Sequence, residues 1–281
     1  MLRLFNIELF KLWNNKSSRV LIILSFVLPF TIAFITSIKI DLGFIRLDPS
    51  EYGIFNFPFI WHWNSYFASL FKLFFALVAI SMISNEYNYR TLKQNLIDGL
   101  SKKEMILSKF YVIVVYSVLS TIGVFIMSII IGSIYSTYTE ATIVFDELEY
   151  LLAYLVKLIG FFSFCLFITL LVKRSVFAIG ILIVFSAIEW ITYAYMRWEV
   201  YENQAQEIGY NFAESVSQFF PLMSMYNLIE QPIIRYARRI NPNDINFPHD
   251  YAVHWYEIAI VLGWSALFIF LSYRLLKKRD L

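Results

Sequence analysis

Charge is scarce in this sequence. Asp, Glu, Lys and Arg make up 16% of its 281 residues, against roughly 25% in soluble domains. Hydrophobic residues make up 59%, above the roughly 45–50% of soluble domains, so water is not the main solvent of the fold. One cysteine, Cys165, excludes an internal disulfide, and its place in an apolar block reads as packing. A net charge of only +2 argues against a nucleic-acid partner. There is no Gly-x-x-x-x-Gly-Lys-Ser/Thr loop to cradle nucleotide phosphates, no His-Glu-x-x-His pair and no Gly-x-Ser-x-Gly elbow. His249 and His254 flank Asp250 but stand five apart, which misses the i, i+4 spacing of a helical metal site. They read as interfacial or packing residues, and no metal is expected. Internal repeats and low-complexity tracts are also lacking.

What is present is a set of long apolar blocks. About 20 helical residues cross the roughly 30 Å of bilayer hydrocarbon, and a helix satisfies its own backbone there. Six blocks qualify: 20–38, 66–84, 110–136, 150–172, 175–196 and 255–273. The second is interrupted by Lys72, the fourth contains Lys157, the fifth contains Glu189, and the third carries no charge. These predict an all-α membrane protein forming one membrane domain over residues 1–281. Trp61, Trp63, Trp190, Trp198 and Trp255 fall near the predicted boundaries, as in an interfacial aromatic belt.

Basic residues alternate with the blocks. Arg3, Lys11, Lys16 and Arg19 precede the first; Arg90, Lys93, Lys102, Lys103 and Lys109 follow the second; Lys173 and Arg174 follow the fourth; Arg274, Lys277, Lys278 and Arg279 end the sixth. The segment 137–149 has four acidic residues and no Lys or Arg. The positive-inside rule therefore places both ends of the sequence in the cytoplasm and the long segment 197–254 outside, because long loops translocate largely regardless of their charge. Residues 1–19 lack a signal-peptide cleavage site. Leu2, Phe5, Leu9, Leu12 and Trp13 share a helical stripe opposite Arg3, Lys11 and Asn14, predicting a helix in the lipid interface.

The stretch 86–109 has the grammar of two helices around a corner. Leu92, Leu96 and Ile97 form a short apolar stripe, Gly99 suits a left-handed helix end, and Ser101 with Glu104 forms a capping box for the next helix. The string Glu86, Thr91, Leu92, Leu96, Gly99, Ser101, Lys102 and Lys109 resembles the ABC-2 type permease family, the membrane subunits of ATP-driven exporters. Arg90 departs from the glycine that many members carry before the threonine, which predicts a less sharply bent helix start. The resemblance extends to the order of parts: interfacial helix, six spans, a longer last external loop and a basic end.

That resemblance implies two permease subunits, as identical copies or with a sister chain, paired with separate ATPase subunits that carry ATP and Mg. No cofactor is implied on this chain. It makes residues 87–100 the coupling helix, with Glu86, Arg90, Thr91, Leu92, Lys93, Leu96, Asp98, Gly99, Ser101 and Glu104 at the ATPase contact. It also implies export across a bacterial cytoplasmic (inner) membrane, with lipid around the spans. Lys72 and Glu189, on the second and fifth spans, would face the dimer interface and the pathway and exchange charge stabilisation. Phe219, Phe220 and Pro221 would belong to short re-entrant helices forming an external gate. From residues alone, a surface amphipathic helix suits that last segment equally, and snorkelling or a packing ion pair suits the intramembrane charges. Two other classes stay open: an ion-coupled secondary transporter using those charges as a relay, and a membrane-embedded enzyme such as an intramembrane protease.

Overall fold

The structure is a computed structural model describing residues 2–38, 40–41, 46–47, 53–138, 140–203, 206–240 and 250–279. Helix α1 (Leu2–Asn14) leads into α2 (Lys16–Ser37), whose cap is Asn15; its side chain accepts from the N–H groups of Ser17 and Ser18. A two-residue antiparallel pair, β1 (Ile40–Asp41) with β2 (Arg46–Leu47), follows. Next come α3 (Phe59–Leu70), α4 (Lys72–Asn88), α5 (Thr91–Ile97) and α6 (Lys102–Tyr135). The chain continues through α7 (Ala141–Val144), α8 (Glu149–Val172), α9 (Ser175–Asn203), α10 (Gln206–Ser217), α11 (Pro221–Asn227), α12 (Pro232–Ile240) and α13 (Trp255–Lys278).

Among the described residues, five helices are long and apolar enough to cross a bilayer: α2, α6, α8, α9 and α13. A sixth candidate is the pair α3 and α4, which pass the same test together and are bent by 42° at their junction, as in a broken span or a re-entrant loop. The first helix of this pair starts at Phe59, ahead of the predicted 66–84, and Lys72 opens the second helix at the bend instead of interrupting a straight one. The apolar run is continuous through Phe71, and the interrupting Lys72 is the sequence's one mark of the break.

Helix α8 is the post around which the others stand, packing on α3, α4, α6, α9, α11 and α13. Ala153, Leu158, Phe162, Cys165 and Leu166 are buried along its length. By contrast α2 and α9 leave much of their apolar surface uncovered within one chain, including Val27, Ile35, Ile183 and Ile191. Most polar side chains inside the spans pair or bond back to their own helices, the buried hydroxyls of Ser65, Ser163 and Ser272 being the exceptions. Asn64 donates to Ser128 at 2.9 Å across α3 and α6, the Ser120 and Tyr154 hydroxyls meet at 2.9 Å across α6 and α8, and Thr169 donates to the carbonyl of Cys165. Apolar surroundings leave such groups no water to fall back on.

One glycine sets the spacing around this post. A Cβ at Gly160 would lie 2.8 Å from Val261 and 3.0 Å from Met225, so its absence lets α13 and α11 approach α8 closely. Overfilling such a contact costs about 1–3 kcal/mol. We expect Gly160→Leu to lower the thermal unfolding midpoint of the detergent-solubilised protein, whereas Gly180→Leu, with nothing within 4 Å of its Cβ position, leaves it unchanged.

Candidate functional site

The two ends of the bundle have different chemistry. The end bearing residues 86–109 is built from ion pairs and helix caps. Glu86, near the end of α4, accepts from Lys109 of α6 at 2.8 Å and from Lys11 of α1 at 3.1 Å. Glu8, also on α1, accepts from Lys109 at 3.2 Å and from Lys11 at 3.0 Å. Two carboxylates and two ammonium groups thus balance at one junction, with Lys109 only 1% exposed. Burial pushes the Glu8 carboxyl up, but Lys109 and then Lys11 outweigh it and hold it below the usual carboxylate range. Glu8 therefore stabilises the junction at neutral pH and loses that contribution only as pH falls through its lowered value.

The junction fixes both ends of the predicted coupling segment. Glu86 lies before it and Lys109 after it, so the first and last residues of the quoted string bind each other rather than facing outward. Between them the helix is shorter than the predicted 87–100: Tyr87 and Asn88 belong to α4, and only Thr91–Ile97 forms α5. Arg90 sits at the bend with φ 56°, in the left-handed region. The expectation of a blunter start is corrected by that conformation, because arginine adopts the backbone for which glycine is preferred, at a cost of about 1 kcal/mol or more. Gly99 closes the helix at φ +92°. Ser101 accepts from the Glu104 N–H at 3.2 Å while Glu104 accepts from the Ser101 N–H at 3.1 Å, forming both halves of the capping box.

The apolar stripe of α5 is divided. Leu92 is buried and Leu96 is half-buried, while Ile97 is 68% exposed. Thr91, Lys93 and Asp98 are exposed, and Asp98 accepts from Gln94 at 3.1 Å. The stripe on α1 is also redistributed: Phe5, Glu8 and Leu12 turn inward, leaving Leu9, Phe10 and Trp13 exposed.

The basic residues counted for topology also cap helices here. Lys102 donates to the carbonyls of Arg279 at 2.9 Å and Lys277 at 3.4 Å, at the end of α13. Arg279 donates to the carbonyls of Leu170 and Leu171 at the end of α8 and contacts the Tyr87 hydroxyl at 3.3 Å. Cations placed there meet the negative ends of helix dipoles and occupy unpaired carbonyls. The described beginning and end of the chain consequently share one end of the bundle.

At the opposite end, Arg235 of α12 forms a two-pronged pair with Glu147 and lies 3.2 Å from both the His62 Nδ1 and the Tyr150 hydroxyl. His62 stacks on Tyr150 with ring centroids 4.2 Å apart, and its Nε2 lies 2.8 Å from the Glu230 carbonyl. Burial works against the Arg235 cation, but Glu147 prevails and holds it firmly charged. His62 lies on α3, ahead of the predicted span 66–84, so nothing in the sequence singles it out. Arg235 lies in the long segment 197–254, whose charge carries no topology signal. Of the two histidines considered for a metal, His254 Nε2 lies 3.4 Å from Asp250, and His249 lies outside the described residues.

The intramembrane charges find separate partners. Lys72 Nζ stands 4.5 Å over the Phe161 ring. Glu189, 6% exposed, accepts from the N–H of Leu222 at 3.1 and 3.0 Å and of Met223 at 2.7 Å. Among the described residues no ion pair joins Lys72 to Glu189 within the chain; the expected exchange between them belongs to a dimer interface. Lys157, 1% exposed, donates to the carbonyls of Tyr226 and Ile229 at 3.4 Å each. Phe219, 59% exposed, and Phe220 lead into α11, which begins at Pro221; the Phe219 carbonyl accepts from the Trp264 indole at 3.1 Å.

This arrangement of long apolar helices, with most charges at their ends and the few inside held by backbone groups or an aromatic ring, defines a multi-pass membrane protein. Residues 4–189 match the family model described as "ABC-2 family transporter protein", and the chain belongs to that family. A search of curated proteins found no match.

The buried junction predicts unequal effects from its two lysines. Removing one partner of a buried ion pair costs about 3–5 kcal/mol, whereas a half-exposed pair contributes about 0–1 kcal/mol. Lys109→Met should therefore sharply reduce the amount of folded protein and its unfolding temperature in detergent. Lys11→Met should lower the temperature only slightly.

Proposed function

We propose that this chain is the permease subunit of an ATP-driven exporter whose ATPase is a separate polypeptide. The observation that carries this reading is the construction of residues 86–109. A bend at Arg90, an exposed short helix, a left-handed turn at Gly99 and a capping box lead into the longest helix of the bundle, and the Glu86–Lys109 pair ties the segment's two sides. A short helix held at both sides transmits a push to α4 and α6 instead of absorbing it. Family membership supports an ATP-binding partner, and α5 offers it exposed Thr91, Lys93, Asp98 and Ile97.

In this reading the ends joined by α1 and α13 face the cytoplasm of a bacterial cell, and residues 197–254 lie on the outer side. Two copies, or this chain and a sister permease, pair through spans that include α4 and α9. Lys72 borders the path, Glu189 borders it through the short helix it holds, and Phe219, Phe220 and Pro221 form the external gate. A proton or ion relay is less well supported, because Glu189 and Lys157 are engaged with backbone groups of α11.

Three measurements test these points. Gly99→Val has no steric conflict but must occupy a left-handed backbone, at about 1 kcal/mol or more. That variant and Asp98→Lys should reach the membrane at normal levels, yet lose ATPase co-purification or nucleotide-driven transport; normal coupling in both would refute the docking assignment. An epitope inserted near Gly209 should label from outside intact cells, and labelling only from the cytoplasmic side would sink the topology. Finally, a cysteine at Lys72 should react with a water-soluble thiol reagent in at least one nucleotide state, and protection in all states would remove it from the path.

A further inference from the structure

The charges of Glu189 and Lys157 sit on different helices, α9 and α8, and among the described residues neither has an ion-pair partner of opposite sign. They meet instead the two ends of the same short helix. At the start of α11, Phe220 occupies the cap position with a side chain that cannot accept a hydrogen bond, and Pro221 has no N–H. The next two N–H groups, on Leu222 and Met223, are taken by the Glu189 carboxylate. At the other end, the Tyr226 carbonyl and the following Ile229 carbonyl face the Lys157 ammonium, whose Nζ is also 5.6 Å from the Tyr226 ring centroid. Negative charge at a helix start and positive charge at its end is the favourable alignment with the dipole.

We propose that Glu189 and Lys157 are paired positioning residues that act on each other through α11, clamping this helix inside the bundle. Seven residues are too few for a helix to persist alone, so its seat must come from its surroundings. Lys157 stands eight residues into α8, about 12 Å along its axis, so the clamp draws α11 well below the end of the bundle. Met225 completes the seat by packing where Gly160 has no side chain. The contacts are unequal: Glu189 makes short bonds of 2.7–3.1 Å and Lys157 long ones of 3.4 Å. The Lys157 end is therefore the one that releases first. The link to transport rests on the reading of Phe219, Phe220 and Pro221 as a gate, whereas the experiment below reads the seat of α11 itself.

The test uses the full chain in membrane vesicles, with Cys165→Ala and a reporter Met225→Cys on α11, probed by a membrane-impermeant maleimide. The parental reporter should be sealed. Glu189→Ala and Lys157→Met should each raise its labelling rate about tenfold, the scale set by losing hydrogen bonds to a charged group. The double variant should label no faster than the faster single, because one helix is released in each case. Glu189→Gln, whose amide oxygen still accepts an N–H, should lie between. The decisive variant exchanges the charges, Glu189→Lys with Lys157→Glu. It should label as fast as the singles, since an ammonium cannot accept the Leu222 and Met223 N–H groups.

Restoration of the parental rate by the exchange would show a direct ion pair and overturn the clamp. So would unchanged labelling in both singles. A second reporter, Val261→Cys in the packed face of α13, should stay sealed throughout; its opening alongside Met225→Cys in every variant, Glu189→Gln included, would mean general loosening and would also overturn the proposal. Faster labelling without any change in transport would leave the clamp standing and remove the gate reading.

Discussion

Hydrocarbon offers no water to a charge, and this fold depends on how that constraint is met. A basic residue at a helix centre costs about 2.5–3.5 kcal/mol to insert, so each one needs a local partner. At one end of the bundle Glu8, Lys11, Glu86 and Lys109 meet these needs among themselves. Deeper in, Glu189 and Lys157 use backbone groups at the ends of α11. Lys72, with an aromatic ring and no carboxylate, sits at the bend between α3 and α4. The charged groups thus mark the places where helices stop, bend or are joined.

Helix ends give the same constraint a second form. Each leaves backbone groups unpaired, and long-range caps supply partners while holding neighbouring helices in register. Lys102 reaches the end of α13, and Arg279 reaches the end of α8 and Tyr87 of α4. The segment proposed to dock an ATPase is thereby tied into three other helices. A displacement of α5 would be felt by α4 and α6 first, through Leu92 and the Glu86–Lys109 pair, before reaching the buried post α8.

The spans were legible because hydrophobic length is a local property, and so was the Ser101/Glu104 box, which lies within four residues. The bend at Phe71 was legible only as an interruption at Lys72, since no proline or glycine there signals a break in the helix. Arg90 misled because residue preference pointed away from a left-handed bend that the surrounding helices impose. Longer-range partnerships were hidden for a different reason. Glu86 read as a surface contact because nothing in its neighbourhood reveals Lys109 and Lys11, and the partners of Glu189 within the chain are backbone N–H groups, which every residue but proline carries and no side-chain pattern announces. The Arg235–Glu147–His62 cluster likewise joins segments far apart in the chain.

The central claim is that α5 is the docking element for a separate nucleotide-binding subunit. Its most direct measurement is photo-crosslinking in intact cells, with a benzophenone amino acid placed at Ile97 or, at the other end of the bundle, at Phe219. Both side chains are exposed within the chain. The account predicts that the Ile97 probe yields an adduct with a protein that binds ATP and carries a phosphate-binding loop, and that the Phe219 probe does not. No such adduct at Ile97, or the same adduct from Phe219, would contradict it.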